Sequence, residues 1–361
     1  MRMDKISNSY GFFDEATGEY VITRPDTPTP WINYLGQGGY GGIISNTAGG
    51  YSFDRDPKNR RVTRYRYNAI PVDQPGRYIY LRDQDTNAYW SLTWQPVVQR
   101  KLEAYECRHG TGYTWIASRY KGIHAELRYF VPQADRGGPG DTSTQESACE
   151  LWVLHLRNTS KRKRTLRSFS YVEFSLWGAE NDLNNLDWGQ HVLHSHVDKG
   201  IIYTGTVFRP TTSFFASNLT AFGFDTERET FVGNYHDLSN PSVVKEGTPH
   251  NSVAMRGNNV GVLCHEIEME AGAETEIIYV LGLTDTPSQV PGLIKGLTNK
   301  GAWQESYAAL KNDWKDYLAK FQVQTPDAEM NAMLNVWNQV QCRATLFWSR
   351  FASGYETGLG R

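Results

Sequence analysis

From the start of the chain to about residue 285, apolar residues come in short runs cut by Gly, Pro, Asn and Asp. Tyr20-Val21-Ile22-Thr23, Tyr78-Ile79-Tyr80-Leu81, Leu151-Trp152-Val153-Leu154-His155-Leu156 and Ser170-Tyr171-Val172-Glu173-Phe174-Ser175-Leu176 are of this kind. So are Ile201-Ile202-Tyr203-Thr204 and Glu276-Ile277-Ile278-Tyr279-Val280-Leu281. Runs this short, bounded by turn formers, predict β-strands. Many strands without intervening helices predict a large antiparallel sandwich. The runs 150–157 and 165–176 flank the polar stretch Asn158-Thr159-Ser160-Lys161-Arg162-Lys163-Arg164, which predicts a hairpin.

Near residue 300 the period changes. Trp303, Tyr307, Leu310, Trp314, Tyr317, Leu318 and Phe321 recur at spacings of three and four, one face of an amphipathic helix. A second helix is expected after Thr325-Pro326-Asp327, with Thr325 as its cap and Pro326 in its first turn. Its apolar face is Met330, Met333, Leu334, Trp337, Val340 and Ala344. The final stretch, Ser353-Gly354-Tyr355-Glu356-Thr357-Gly358-Leu359-Gly360-Arg361, is glycine-rich. Two helices running into an open glycine loop resemble the start of an all-helical domain.

Composition adds bounds. The 361 residues are 39% hydrophobic and 21% charged, ordinary for a chain that buries a real core. A net charge of −2 gives no electrostatic footing for nucleic acid or an anionic membrane. Arg60-Arg61-Val62-Thr63-Arg64-Tyr65-Arg66-Tyr67 interleaves basic and aromatic residues, but its period of two predicts a strand with one solvated basic face. No apolar run is long enough to span a bilayer and no secretory leader opens the chain, so a cytoplasmic location is expected. Cys107, Cys149, Cys264 and Cys342 are widely spaced, and the nine histidines show no metal-binding spacing, so no metal is expected.

Individual motifs carry little alone. Gly36-Gln37-Gly38-Gly39-Tyr40-Gly41-Gly42 lacks the strand-loop-helix context of a phosphate cradle and reads as a turn between strands. Cys107 and His109 have no third group to orient them as a nucleophile and base, so His109 reads as structural. The carboxylate-rich loop Gly178-Ala179-Glu180-Asn181-Asp182-Leu183-Asn184-Asn185-Leu186-Asp187-Trp188 fits a sugar-binding loop, but a solvated surface loop fits it better.

Taken together, several segments resemble one family. Tyr10-Gly11-Phe12-Phe13-Asp14, Glu19-Tyr20-Val21-Ile22-Thr23 and Thr29-Pro30-Trp31-Ile32-Asn33-Tyr34-Leu35-Gly36 are similar to the opening of the cellobiose phosphorylases of glycoside hydrolase family 94. Ser45-Asn46-Thr47-Ala48-Gly49-Gly50-Tyr51-Ser52-Phe53, Thr63-Arg64-Tyr65-Arg66-Tyr67-Asn68, Tyr105-Glu106-Cys107-Arg108-His109-Gly110 and Gly223-Phe224-Asp225-Thr226-Glu227-Arg228 continue it in order. The resemblance implies a mostly β chain in three parts. Residues 1–290 form an N-terminal β-sandwich, 291–345 a helical linker, and 346–361 the first edge of a truncated (α/α)6 catalytic barrel.

The same resemblance implies reversible inverting phosphorolysis of a β-linked glucose disaccharide, with inorganic phosphate as co-substrate and no other cofactor. Arg350 corresponds to a phosphate-binding arginine and Arg361 to one contacting the glucosyl unit, with the spacing between them kept. No catalytic residue is expected within the chain, because the family's catalytic acid lies beyond this tail. The loop after Trp177 corresponds to one that reaches an acceptor subsite across a homodimer formed through the N-terminal domain. There Asn185 is kept, while Asp187 and Trp188 replace the family's Gln-Arg pair, which leaves the acceptor sugar open among cellobiose, laminaribiose, cellobionate and others. A non-catalytic carbohydrate-binding or dimerisation sandwich, and a fragment of a related hydrolase, remain as alternatives.

Overall fold

The computed structural model describes residues 7–36, 39–65, 73–132, 149–179, 182 and 192–348. Two large antiparallel sheets face each other. The first contains, in spatial order, β1 (Gly11–Asp14), β2 (Glu19–Ile22), β9 (Ala104–Gly110), β10 (Tyr113–Tyr120), β11 (Ile123–Phe130), β12 (Cys149–Asn158), β19 (Glu274–Thr284), β16 (Arg209–Ser217), β15 (Ile201–Thr206) and β14 (Leu193–Asp198). The second runs β17 (Gly223–Glu227), β18 (Asn259–Met269), β13 (Arg164–Trp177), β6 (Arg61–Thr63), β5 (Gly50–Asp54), β4 (Tyr40–Ser45) and β3 (Ile32–Leu35). Beside it, β7 (Tyr78–Asp83) pairs with β13, and β8 (Tyr89–Ser91) with β7. β3 and β4 pair in register Leu35↔Gly42, so Tyr40, Gly41 and Gly42 of the glycine-rich segment lie in β4 itself, while Gln37 and Gly38 lie outside the described residues.

The core between the sheets is filled from both sides, by Trp152, Leu154, Leu156 and Tyr279 from the first and Val62, Leu166, Val172 and Phe174 from the second. The outer face of the first sheet is also covered. Leu151, Val153, Ile278 and Val280 pack against Val290, Ile294, Leu310, Trp314 and Val340 of the C-terminal helices. β12 and β19 are therefore apolar on both faces, which is why their sequences read as continuous runs rather than alternating ones.

That double burial also explains where the hairpin expected from 150–157 and 165–176 fails. β12 pairs with β11 and β19, whereas β13 pairs with β18, β7 and β6, so the two strands lie in different sheets. Residues 159–163 cross from one sheet to the other, a step of roughly 10 Å. The link between β18 and β19 makes the same crossing alongside. Asn158 joins the two crossings: its Nδ2 donates to the carbonyls of Arg162 (2.8 Å), Met269 (3.1 Å) and Glu270 (3.0 Å). Its Oδ1 accepts from the Ser160 N–H at 3.0 Å. Asn158→Asp keeps the acceptor and removes the donors from a buried position. Urea unfolding is expected to show a loss of about 1–3 kcal/mol.

The C-terminal helices are α3 (Val290–Thr298), α4 (Ala302–Leu318), α5 (Ala328–Ala332), a π-turn (Met333–Trp337) and α6 (Asn338–Trp348). Two shorter ones, α1 (Arg228–Val232) and α2 (Ser242–Glu246), cover the outer face of the second sheet through Phe231, Val232, Val243 and Val244. α4 buries Leu310 and Trp314 as its spacing predicted, but Phe321 lies beyond its end and is half exposed. Gly112, in the β9–β10 turn at φ +78°, lets the sheet meet this helix: a Cβ there would sit 2.7 Å from Trp314 Nε1. α5 is capped by Asp327, whose Oδ1 accepts from the Met330 N–H at 3.0 Å, and not by Thr325. The Thr325 hydroxyl instead braces the preceding turn through Asp327 O and Asn331 Oδ1. Met330 and Met333 are exposed, and Val340 and Ala344 carry the buried face.

α1, α2 and α3 are absent from the periodicity. Two are single turns, and α3 contains Pro291, Gly292 and Gly296, which mask a helical signal. Among the described residues no helix is long and apolar enough to cross a membrane.

Candidate functional site

The site residues expected from sequence, Asn185, Asp187, Trp188, Arg350 and Arg361, lie outside the described residues. Of the segment that contains the first three, the structure describes Gly178, Ala179, Asp182 and Val192. The segment leaves β13 through Gly178, and the Asp182 N–H donates to the Gly178 carbonyl at 3.0 Å. The Asp182 carboxylate is then gripped by Arg64. Nε and Nη2 of Arg64 donate to Asp182 Oδ1 at 2.9 and 2.7 Å. Asp182 is thus mostly buried, and this part of the loop is not the solvated surface its composition implied.

Arg64 corrects a second expectation. The basic stretch from Arg60 does not form a strand with a solvated face; β6 covers only Arg61–Thr63, and both Arg61 and Arg64 are buried. Arg61 lies over the Tyr51 ring at 3.6 Å and donates from Nε to Pro57 O at 2.9 Å. Arg66 and Tyr67 lie outside the described residues. Burial on both sides of a short strand hides a charge that composition assigns to the surface.

Around Arg64 a charged cavity of about 320 Å³ opens, lined by Arg64, Gln74, Pro75, Glu173, Arg228, Leu238 and Asn258. Arg64 Nη1 donates to Asn258 Oδ1 at 2.9 Å and lies 3.7 Å from Glu173. Arg228 donates from Nε to Glu173 Oε1 at 2.9 Å, and the Tyr171 hydroxyl donates to the same oxygen at 2.5 Å. Burial pushes the Glu173 carboxyl up, but Arg228, Arg64 and the Tyr171 hydroxyl outweigh it and hold it below its usual range. Both Glu173 and Arg64 therefore stay charged at neutral pH.

A second buried carboxylate supports one wall. Asp73, next to Gln74, accepts from Ser45, from Thr47 at 3.3 Å and from Tyr65 at 3.1 Å. Burial raises its pKa despite those bonds. His109 is structural: Nε2 donates to Trp31 O and Nδ1 accepts from Thr114, each at 2.9 Å. Burial lowers its pKa to about 4 and pushes the Cys107 thiol far up, so the pair holds no thiolate and no imidazolium at neutral pH.

The three charged residues that line the cavity come from segments singled out in the sequence. Arg64 sits in Thr63–Asn68, Glu173 in the run ending at Leu176, and Arg228 at the end of Gly223–Arg228. Their convergence was not read from the sequence. The available signal was Glu173, a carboxylate in the middle of an apolar strand, which requires a cationic partner.

Comparison with known proteins fixes what this scaffold is. The model of the glycosyl hydrolase 94 supersandwich domain matches residues 18–300. The chain belongs to glycosyl hydrolase family 94. The model of the family 94 superfamily catalytic domain also matches, over residues 313–361. The chain is 37% identical to the N,N'-diacetylchitobiose phosphorylase of Vibrio proteolyticus, over 97% of this chain and 43% of that protein. It is 30% identical to the solabiose phosphorylase of Paenibacillus borealis, over 92% of this chain and 42% of that protein. The chain thus spans less than half the length of these curated relatives. Among solved structures, a bacterial glucoamylase complexed with acarbose shares the fold alone, with a TM-score of 0.50 and 6% identity over 83% of this chain and 41% of that chain.

Proposed function

We propose that the chain is the N-terminal portion of an inverting phosphorylase of β-linked disaccharides. Such an enzyme converts disaccharide and phosphate to an α-sugar 1-phosphate and a free sugar. The supporting observation is the family 94 supersandwich match over residues 18–300, joined to 37% identity with a phosphorylase over 97% of the chain. In this reading a carboxylic acid outside these 361 residues protonates the glycosidic oxygen while phosphate attacks the anomeric carbon from the opposite face. Phosphate is already anionic, so no general base is required. Arg350 binds it, and Arg361 contacts the donor sugar. Asn185, Asp187 and Trp188 belong to the acceptor loop, which reaches the neighbouring subunit of a homodimer. The protein is cytoplasmic, where phosphate and sugar phosphates are available.

The relatives that are 37% and 35% identical are named for N,N'-diacetylchitobiose, so that disaccharide joins cellobiose, laminaribiose and cellobionate as a substrate to test. The longer protein that carries this chain is expected to release an α-sugar 1-phosphate from one of them, followed by ³¹P and ¹H NMR. A β-linked sugar phosphate would overturn the inverting mechanism. Hydrolysis at an equal rate without phosphate would favour the hydrolase reading. In that protein Arg350→Ala is expected to raise the KM for phosphate by about 10- to 100-fold, the loss of one charge-assisted contact, with the KM for disaccharide little changed.

A further inference from the structure

The cavity around Arg228 is absorbed by none of the roles above. At about 320 Å³ it has room for about ten waters at their liquid volume, more than are needed to satisfy a few buried polar groups. It lies at the lower end of the range of small-molecule sites. Its groups are only partly used. Among the described residues, Arg228 engages Glu173 through Nε alone, which leaves the four N–H bonds of its terminal nitrogens without a protein acceptor. Gln74 donates from Nε2 to Gln95 Oε1 at 3.1 Å, and its side-chain oxygen has no donor among the described residues. Among the described residues, Glu173 Oε1 takes both hydrogen bonds, while Oε2 has only Arg64, 3.7 Å away. Leu238 and Pro75 supply apolar wall.

The charges decide the ligand class. Two guanidiniums, Arg64 and Arg228, face two carboxylates, Glu173 and Asp182, each already in contact with its opposite. Asp182 is held by Arg64 and does not line the cavity, but with it the four charges balance among the described residues, which disfavours a free anion. A neutral polyol breaks nothing: its hydroxyls donate to Gln74 Oε1 and Glu173 Oε2 and accept from Arg228, while its C–H face lies on Leu238 and Pro75.

We propose that this cavity is a sugar-binding site on the sandwich, for a neutral mono- or disaccharide, seated on Arg228, Gln74 and Glu173. The site is separate from the phosphorolysis proposed above and does not depend on it. It places a carbohydrate beside Arg64, whose guanidinium also holds Asp182.

The test is calorimetric titration of the 361-residue chain, in phosphate-free buffer, with cellobiose and with N,N'-diacetylchitobiose. Saturable binding in the millimolar range is expected for at least one. Arg228→Gln should weaken it by about tenfold or more, the loss of a charged donor. Gln74→Ala should weaken it a few-fold at an unchanged melting temperature, and this variant decides the matter if Arg228→Gln does not fold. No saturation with either sugar, or affinities that both variants leave unchanged, would overturn the proposal. So would displacement of the sugar by millimolar sulfate, which would mark an anion site, or loss of binding in Trp188→Ala with Arg228→Gln unaffected, which would move the sugar to the loop. Phosphorolysis is not read in any arm, so failure here leaves the proposed reaction standing.

Discussion

Arg77→Met is expected to cost about 3–5 kcal/mol in urea unfolding, a large part of the 5–15 kcal/mol that holds a typical domain together. Arg77 and Glu150 form a wholly buried ion pair, with Nε to Oε1 at 2.5 Å and Nη2 to Oε2 at 3.1 Å. The remaining lone pairs and protons are met as well. Ser52 Oγ donates to Glu150 Oε2 at 2.6 Å, Trp152 Nε1 donates to Oε1 at 2.7 Å, and Arg77 Nη1 donates to Ile43 O at 3.0 Å. Glu150 belongs to the first sheet, and Ser52 and Ile43 to the second, so the pair crosses the sandwich core. Room for it comes from Gly42, where a Cβ would lie 2.8 Å from Arg77 Nη2 and 2.9 Å from Tyr51 O.

Methionine at 77 leaves the buried Glu150 carboxylate without its counter-ion. The double variant Arg77→Met with Glu150→Leu removes both charges and is expected to recover most of the loss. If the single and double variants are equally unstable, shape rather than charge accounts for the effect. The contrast is Arg24–Asp26 at 2.6 Å, whose side chains are 48% and 50% exposed: Arg24→Met there should change stability by no more than about 1 kcal/mol.

The same contrast shows what a sequence reveals and what it hides. Strand runs such as Tyr78–Leu81 and Glu276–Leu281 declare themselves, because apolar clusters between turn formers have few other uses. The sandwich and the α4 helix followed from them. Pairing did not. Leu151–Leu156 is apolar on both faces, so no alternation marks which face meets the other sheet, and neighbours in sequence, β12 and β13, lie in different sheets. Charges were hidden in the same way. Arg61, Arg64 and Arg77 look like surface residues in composition and are buried, and Arg64 and Arg77 take their partners from distant segments. Asp182 lies 118 positions from Arg64, and Asn258 lies 194 away. The cavity is therefore built by contacts that carry no local pattern. The acceptor loop and the two tail arginines became legible only through family resemblance, and they lie outside the described residues.

Arg64→Met tests whether those distant contacts act as one unit. The variant removes the fork on Asp182, the bond to Asn258 and a counter-charge of Glu173. Arg228 stays on Glu173, and Asp182 is near enough to the surface to take up water. The expected loss is therefore at the low end for a broken buried pair, about 3 kcal/mol. Lysine should not rescue it, because one ammonium cannot replace the two guanidinium nitrogens on the carboxylate and the third on the amide.

The effect must depend on pH in a defined direction. The folded-state pKa of Glu173 is lowered, so its contribution is present above the unfolded carboxylate value of about 4.3 and is lost as pH falls through the lower folded value. Removing Arg64 weakens that lowering, so the acid-unfolding midpoint of the variant should move to higher pH, and the stability gap to wild type should narrow towards pH 2. A gap constant from pH 7 to pH 2 would mean that Arg64 acts by packing alone. Proteolysis separates the local from the global effect. If Arg64 holds the base of the loop, Arg64→Met is cut faster within 178–192 at urea concentrations where both proteins are fully folded, and Arg77→Met, destabilised by a similar amount, is not.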